Sequence, residues 1–259
     1  MRSESKGRYG LYAAGSVGTI LLLWEGVTAG GLIAPLFLPS PVQVLERLVD
    51  LSQKGFVGAT LWEHSAASLL RVGLAMLFAI LTAIPTGMAM GLSRRINAAI
   101  DPLIEFYRPL PPLAYLPLLV IWFGIGETTK ILLIYLAIFA PLAIATASGV
   151  RRVDQNRVRA AQSLGANRDQ VVWLVILPSA LPDILTGLRI ALGVGWSTLV
   201  AAELVAATRG LGFMVQSASQ MLVTDVVVAG ILVIAVIALS LELGLRWLES
   251  RLVGWARQD

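Results

Sequence analysis

Hydrophobic and polar positions follow one another in long blocks along this chain, without the short periods of a soluble fold. A helix needs about 20 apolar residues to cross roughly 30 Å of hydrocarbon, and six blocks approach or reach that length. They predict six membrane-spanning helices, at 12–32, 64–91, 104–125, 129–149, 181–206 and 226–248. The third span is clearest from Leu113 to Ile125. The pattern therefore predicts an all-α, polytopic membrane protein.

The composition supports this class and excludes several others. Of the 259 residues, 57% are hydrophobic and 14% charged, which is far less charge than a soluble domain carries. The alternating segments of about 10 residues that a transmembrane barrel needs do not occur. Without cysteine there is no disulfide framework, and the single histidine, His64, excludes a multi-histidine metal site within one chain. No metal ligand and no catalytic residue are predicted.

The positive charges are concentrated on one side of the predicted spans. If both chain ends lie in the cytoplasm, 14 Lys and Arg residues lie in the cytoplasmic segments or at the adjoining span ends, and 4 lie in the opposite segments or at theirs. This asymmetry places residues 1–11 and 249–259 in the cytoplasm of a bacterial inner membrane. It also accounts for the high pI without a nucleic-acid partner. Cleavage after Val27-Thr28-Ala29, as in a signal peptide, is the alternative for the first span.

Residues 33–63 are predicted to form a periplasmic segment with one short helix. Ser40 has the position of an N-cap, Pro41 that of the first helical residue, and Gln43 that of the reciprocal cap. One face of this helix carries the apolar residues Val44, Leu45, Leu48 and Leu51. The helix is expected to lie along the outer membrane surface. A simple connecting helix and a lip that meets an external partner are the two readings of its role.

The connection at 150–180 is predicted to be a helical elbow on the cytoplasmic side. A first helix covers 153–164, and Gly165 follows where a helix ends with a left-handed residue. Asn167 caps a second helix, which Pro178 is expected to end. The elbow is about 30 residues long, and joining two spans requires far fewer. Docking to a partner is one reading, and an ordinary helical connection is the other.

This elbow resembles the EAA loop in permease subunits of bacterial ABC importers, the binding-protein-dependent type I family. The matching positions are Arg159, Ala160, Ala161, Gly165, Val175, Leu177 and Pro178. Arg159 departs from the pattern because the family has a glutamate there. Residues 107–117, 122–127, 193–203 and 209–213 look like the sulfonate, nitrate and taurine branch of that family. The resemblance covers roughly residues 30–250, with the transmembrane core at 61–248.

The resemblance implies a type I permease fold and a transporter that is built from several kinds of subunit. The permease would be a homodimer in the lipid bilayer, with two cytoplasmic ATPase subunits and a periplasmic solute-binding protein. The implied cargo is taurine or a close alkanesulfonate, with another sulfonate, nitrate or a small heterocycle as alternatives. The implied ATPase-coupling residues are Arg159, Ala160, Ala161, Ser163, Leu164, Gly165, Ala166, Asn167, Arg168 and Asp169.

The energy source has to lie outside this chain, because the sequence contains no G-x-x-x-x-G-K-[ST] phosphate loop. ATP and Mg²⁺ are expected on the partner ATPase, and no cofactor is expected in this chain. An ion-coupled secondary transporter is the first rival class. A membrane-embedded enzyme is the second, and it would need a cluster of carboxylates or histidines.

The candidates for ionisable residues deep within the predicted spans are Glu25, Arg71, Glu203 and Glu242. Such residues form packing pairs between helices or line a solute route. The candidate residues for a translocation path or gate are Trp196, Ser197, Thr198, Glu203 and Tyr115. The proline-rich segment at 108–117 is interpreted as an irregular helix start, with a hinge or gate as the alternative.

Overall fold

A computed structural model of the chain describes residues 2–254, except for the side chains of residues 2–11, 13, 14 and 206. These residues form eleven α-helices and one π-helical turn. The helices are α1 Arg2–Ala29, α2 Pro41–Gln53, α3 Leu61–Leu92, α4 Arg94–Tyr107, α5 Pro112–Phe123, α6 Glu127–Arg152, α7 Gln155–Ser163, α8 Arg168–Val171, α9 Leu177–Ala206, α10 Leu211–Gln220 and α11 Thr224–Leu252.

Four helical segments of the described chain are long and apolar enough to cross a membrane. They are Leu61–Leu92, Glu127–Arg152, Arg168–Val205 and Thr224–Leu252. Each coincides with one of the predicted spans. Two shorter apolar helices, Gly15–Ala29 and Pro112–Phe123, lie at the first and third predicted spans. The protein is therefore an all-α, polytopic membrane protein.

The centre of the bundle is formed by α3, α6 and α9, which approach one another through small residues. Ala75, Ala79 and Ala83 of α3 are completely buried. A Cβ atom on Gly87 would lie 2.6 Å from Cβ of Thr146 in α6. Helices in lipid gain little from apolar burial against each other, so they depend on this kind of close contact.

The third predicted span is broken, and one continuous helix over 104–125 is wrong. The chain forms α4, leaves the helical conformation, and re-enters it at α5. Pro109 and Pro111 lack the backbone N–H that would continue the hydrogen bonds of α4. Pro111, which precedes Pro112, has a ψ of 131°, because proline disfavours the helical conformation in the residue before it. Pro112 then occupies the first turn of α5, where proline is tolerated.

The helix beyond the elbow does not end at Pro178, contrary to the prediction. It passes from α8 through a π-helical turn at Val172–Ile176 directly into α9. A proline ring normally collides with the carbonyl group four residues earlier. The wider π turn directly before Pro178 changes the hydrogen-bond register, so the helix continues.

The predicted caps of α2 are confirmed. Ser40 Oγ accepts from the Gln43 backbone N–H at 3.2 Å, and the Ser40 N–H donates to Gln43 Oε1 at 2.9 Å. Val44 and Leu51 are buried, whereas Leu45 is 62% exposed. The buried face of α2 joins a cluster with α10 and α11. Its position along the membrane surface stays a prediction.

Candidate functional site

The elbow between α7 and α8 has a closed network of local hydrogen bonds. Gly165 has a φ of +88°, its N–H donates to Gln162 O at 3.0 Å, and the Ala166 N–H donates to Ala161 O at 3.1 Å. This pair of bonds is the Schellman motif, which ends a helix with a left-handed residue. Gly165 and its neighbours therefore form a defined turn.

The second helix of the elbow begins with the predicted capping box. The Gln170 N–H donates to Asn167 Oδ1 at 2.8 Å, and the Asn167 N–H donates to Gln170 Oε1 at 2.9 Å. Half-buried Ala161 and Ala166 pack on a buried cluster that includes Val153. The elbow is thus packed against the bundle and has a defined backbone conformation.

The outer side of the elbow is exposed. Leu164, at the C-cap of α7, is 89% exposed. The other exposed coupling candidates are Arg159, Ala160, Ser163, Gly165, Asn167, Arg168 and Asp169. The tip of the elbow thus exposes one large apolar side chain among polar and small residues.

At the opposite end of the bundle, next to α2, the Arg71 guanidinium joins four parts of the chain. Its Nη1 lies 2.6 Å from Glu203 Oε1 of α9, and its Nε lies 2.6 Å from Glu127 Oε2 at the start of α6. Nη1 also donates to the carbonyl oxygen of Arg209 at 2.7 Å. Lys130 Nζ lies 2.7 Å from Glu127 Oε1, so two cations face two carboxylates. We call Arg71, Glu127, Lys130 and Glu203 the ion cluster.

The Glu203 carboxylate holds the turn that leads into α10. Glu203 is 1% exposed, and its oxygens accept from Ser68 Oγ at 2.8 Å and from the Gly212 N–H at 2.8 Å. Gly210 has a φ of +133°, and a Cβ atom there would collide with the Glu203 carboxylate. Glycine at position 210 therefore suits both the backbone conformation and the space beside the carboxylate.

His64 has a structural place in the same region. Its Nδ1 accepts from the Gly210 N–H at 3.1 Å, so Nε2 carries the proton and donates to the Phe56 carbonyl oxygen at 3.0 Å. His64, Ser68 and Arg71 lie one turn apart on one face of α3. Sequence reasoning identified Arg71 and Glu203 but missed the roles of the other two. Their helical spacing within an apolar helix was the available signal.

The five candidate residues for the translocation path do not form one site within a single chain. Glu203 belongs to the ion cluster and has no open surface, and Thr198 is buried. Tyr115 lines a cavity of about 200 Å³ beside α4 and α6. Trp196 and Ser197 line a separate cavity of about 510 Å³ between α9 and α11.

An open groove of about 410 Å³ lies between α2 and the start of α11. Its lining includes Arg47 and Asp225, which form an ion pair at 2.6 Å. Asp50 also lines the groove, and its pKa is lowered because Lys54 Nζ donates to the carboxylate at 2.7 Å. The groove therefore presents charges of both signs beside the ion-cluster end of the bundle.

The fold and the sequence place this chain in a known class of membrane protein. It belongs to the family described as binding-protein-dependent transport system inner membrane component, whose profile matches residues 75–254. The chain is thus a multi-pass permease of the inner membrane with the type I ABC importer fold.

The curated relatives of this chain are permease proteins of transport systems. It is 65% identical over 242 residues to the taurine transport system permease protein TauC of Escherichia coli (strain K12), covering 93% of this chain and 88% of that one. It is 36% identical to the putative aliphatic sulfonates transport permease protein SsuC of Bacillus subtilis (strain 168), covering 91% and 84%.

Solved structures confirm the fold. A chain of the MetNI methionine ABC transporter, in an inward-facing conformation, superposes with a TM-score of 0.66 at 15% identity, covering 74% of this chain and 96% of that one. A chain of an amino acid ABC transporter with histidines gives a TM-score of 0.60 at 21% identity, covering 80% and 94%.

Proposed function

We propose that this chain is the permease subunit of an ATP-driven importer for taurine or a close alkanesulfonate. The observation that carries the proposal is the 65% identity to the taurine permease, extended over 93% of this chain. The working unit is a homodimer with two cytoplasmic ATPase subunits and a periplasmic solute-binding protein. ATP and Mg²⁺ bind to the ATPase, and both chain ends lie in the cytoplasm.

In this scheme the elbow transmits the ATPase's conformational change. Driving a bundle from a 1:99 to a 99:1 ratio of two states requires a difference of about 5.5 kcal/mol between them. A segment that bent would not pass this free-energy difference on to the bundle. The Schellman turn at Gly165 and the capping box at Asn167 favour one conformation of the elbow and so oppose bending. Exposed Leu164 and the small residue Ala160 are then the surface that the ATPase contacts.

The groove between α2 and α11 suits the other partner. It lies at the opposite end of the bundle from the elbow, which is the periplasmic end if the elbow is cytoplasmic. The Arg47–Asp225 pair and Asp50 offer charges of both signs to a binding protein. Such charges steer encounter and set orientation more than they add affinity.

The coupling role of the elbow is tested at Gly165. Gly165→Val should abolish ATP-driven uptake with the chain still inserted in the membrane, because a β-branched residue is strained at a φ of +88°. Apart from Gly165 and its two chain neighbours, no atom of the described chain lies within 4 Å of the position that a Cβ would take, so backbone strain is the expected effect within the chain. Gly165→Asn is the matched control, since asparagine tolerates the left-handed conformation. Wild-type uptake by the valine variant would refute the coupling role.

The cargo is tested by uptake of labelled taurine into vesicles that contain permease, ATPase and binding protein. We expect uptake that needs ATP and that unlabelled taurine suppresses more strongly than other alkanesulfonates or nitrate do. Stronger suppression by one of those solutes would transfer the assignment to it. Uptake that persists without the ATPase and collapses with an uncoupler would identify an ion-coupled transporter and refute the proposal.

A further inference from the structure

The turn at 209–212, which connects α9 to α10, is held by four buried side chains of α3 and α9. Each of these side chains bonds one backbone group of the turn, and none is more than 3% exposed. The four bonds are Arg71 Nη1 to Arg209 O at 2.7 Å, Gly210 N to His64 Nδ1 at 3.1 Å, Leu211 N to Ser68 Oγ at 2.9 Å and Gly212 N to Glu203 Oε2 at 2.8 Å. We call His64, Ser68, Arg71 and Glu203 the supporting side chains.

The supporting side chains replace a local helix cap. The first N–H groups of a helix have no partner within the helix, and a Ser, Thr, Asp or Asn at the N-cap usually binds one of them. Gly210 is the N-cap of α10 and offers no side chain for this purpose. The acceptors come from α3 and α9 instead, so the position of the turn is fixed relative to both helices.

A local cap would satisfy the same N–H groups without taking charges out of water. Arg71 and Glu203 are buried, and buried ion pairs add little net stability because both charges lose their hydration. Fixing one arrangement of the chain is a role that such pairs serve in several proteins. Glycine at position 212 preserves the close contact, since an added Cβ atom would lie 2.9 Å from Cβ of Glu203. The support therefore favours one position of the turn.

The turn presents one exposed cation, the side chain of Arg209. Its carbonyl group is bonded to Arg71, whereas its guanidinium forms no ion pair and no hydrogen bond within the described chain. Glu63 interacts with Arg209 at longer range, and Glu63 Oε2 accepts from the N–H and the hydroxyl of Thr60 at 2.7 and 3.0 Å. A fixed backbone and a charge without a paired counter-ion thus occur at the same residue.

We propose that Arg209 is a contact residue for a carboxylate group of the periplasmic solute-binding protein, and that the supporting side chains position it. The inference rests on the proposed function, because it requires a binding protein at this end of the bundle. Leu211, two residues after Arg209, packs in one cluster with Val44 of α2. The turn is thus continuous with the helix that lines the groove between α2 and α11.

A carboxylate matches a fixed arginine by geometry as well as by charge. The planar guanidinium joins a carboxylate through two parallel N–H···O bonds, whose formation depends on where the arginine backbone is held. A lysine supplies the same charge without this fork of donors. Arg209→Lys therefore separates the contribution of geometry from that of charge.

Equilibrium binding of the purified, taurine-loaded binding protein to the permease–ATPase complex in lipid nanodiscs tests the contact. We expect Arg209→Gln to weaken binding about tenfold, as for the loss of a hydrogen bond to a charged group, and to reduce the dependence of the affinity on salt. Arg209→Lys should retain the salt dependence and part of the affinity. Arg95→Gln, at an exposed position at the start of α4, removes the same charge from the elbow end and should bind as the wild type does.

Ser68→Ala tests the positioning role. It removes the acceptor of the Leu211 N–H and should weaken binding about threefold, the fold-change of losing one neutral hydrogen bond. In the Arg209→Gln background the same change should have no further effect, because Ser68 acts on binding through Arg209. Equal losses in the two backgrounds would assign Ser68 a general structural role and refute the positioning.

Wild-type affinity and salt dependence in Arg209→Gln would refute the contact. Unchanged affinity together with slower taurine uptake would also refute it, since Arg209 would then act on the solute. In both cases ATP-driven uptake by the wild type would still support the proposed function. A wild-type complex that neither binds the binding protein nor takes up taurine would refute both proposals.

Discussion

At the residue scale, Arg71 is a side chain on which contacts from several elements converge. One guanidinium, 3% exposed, holds Glu127, Glu203 and the Arg209 carbonyl group together. A buried ion pair adds little net stability, because both charges lose their hydration. Removing one partner is different, since the other charge stays buried without compensation. Loss of Arg71 is therefore expected to lower stability mainly because it leaves a buried carboxylate without a counter-ion. The ion pairs themselves contribute less.

Arg71→Met tests this role. We expect the free energy of unfolding to fall by about 3–5 kcal/mol, because the Glu203 carboxylate then lacks its counter-ion. The measurement is the midpoint of thermal unfolding in detergent. Adding Glu203→Gln to Arg71→Met should recover part of the loss, since the neutral amide needs no cation.

Lys54→Met is the control for Arg71→Met. Lys54 pairs with Asp50 in an exposed contact, where an ion pair contributes little or nothing measurable. Its midpoint should match that of the wild type. A midpoint for Arg71→Met equal to that of Lys54→Met would show that the ion cluster does not hold this end of the bundle.

At the element scale, glycines and prolines decide how the helices pack and where they stop. Glycines of α3 and α9 let α6 approach closely. At Gly195 of α9, an added Cβ atom would lie 2.5 Å from Cδ1 of Ile138 in α6. Prolines separate α4 from α5. Pro178, in contrast, interrupts nothing, because the π-helical turn before it accommodates the ring.

Gly87→Val should separate α3 from α6. The added side chain meets the Ala143 carbonyl oxygen and lies 2.6 Å from Cβ of Thr146. We expect a reduced yield of folded protein and a lower melting midpoint, because overpacking typically costs about 1–3 kcal/mol. Gly73→Val is the control on the same helix, since no atom of another described helix lies within 4 Å of its Cβ position. Equal stability of the two variants would contradict the packing assignment.

Sequence signals predicted the elements unevenly. The caps at Ser40 and Asn167 and the turn at Gly165 were predicted correctly, because each depends on residues within four positions. The break between α4 and α5 lay within a segment that was recognised as irregular, but its length was not foreseen. The passage of the helix through Pro178 was missed, since a local rule treats proline as a stop.

At the scale of the whole molecule, the elbow and the ion cluster mark opposite ends of one helical bundle. The distribution of positive charge predicts that the elbow end faces the cytoplasm. The proposed ATPase and binding protein then approach from opposite sides of the membrane.

Because the chain has no cysteine, its orientation is testable with single introduced thiols. Ser163→Cys, on the exposed tip of α7, should react with a membrane-impermeant maleimide only from the cytoplasmic side. Gln53→Cys, at the exposed end of α2, should react only from the periplasmic side. Intact cells and inverted vesicles provide the two directions of access. The reverse labelling would overturn the predicted orientation.

The sequence by itself determined the class of the fold and the local structure of the elbow. Apolar blocks of membrane-spanning length, capping residues and a left-handed glycine act over a few neighbouring positions, so one sequence is sufficient to read them. The candidate path residues were chosen on the same local basis, and the structure distributes them over separate environments.

Only the tertiary structure decided which charges meet. Arg71 is 56 residues from Glu127 and 132 residues from Glu203 along the chain, and helix packing alone brings them within hydrogen-bond distance. The same packing buries the Trp196 N–H, which has no hydrogen-bond partner among the described residues. The physical reason is that long-range pairing depends on helix positions and tilts, which spacing along the chain does not encode.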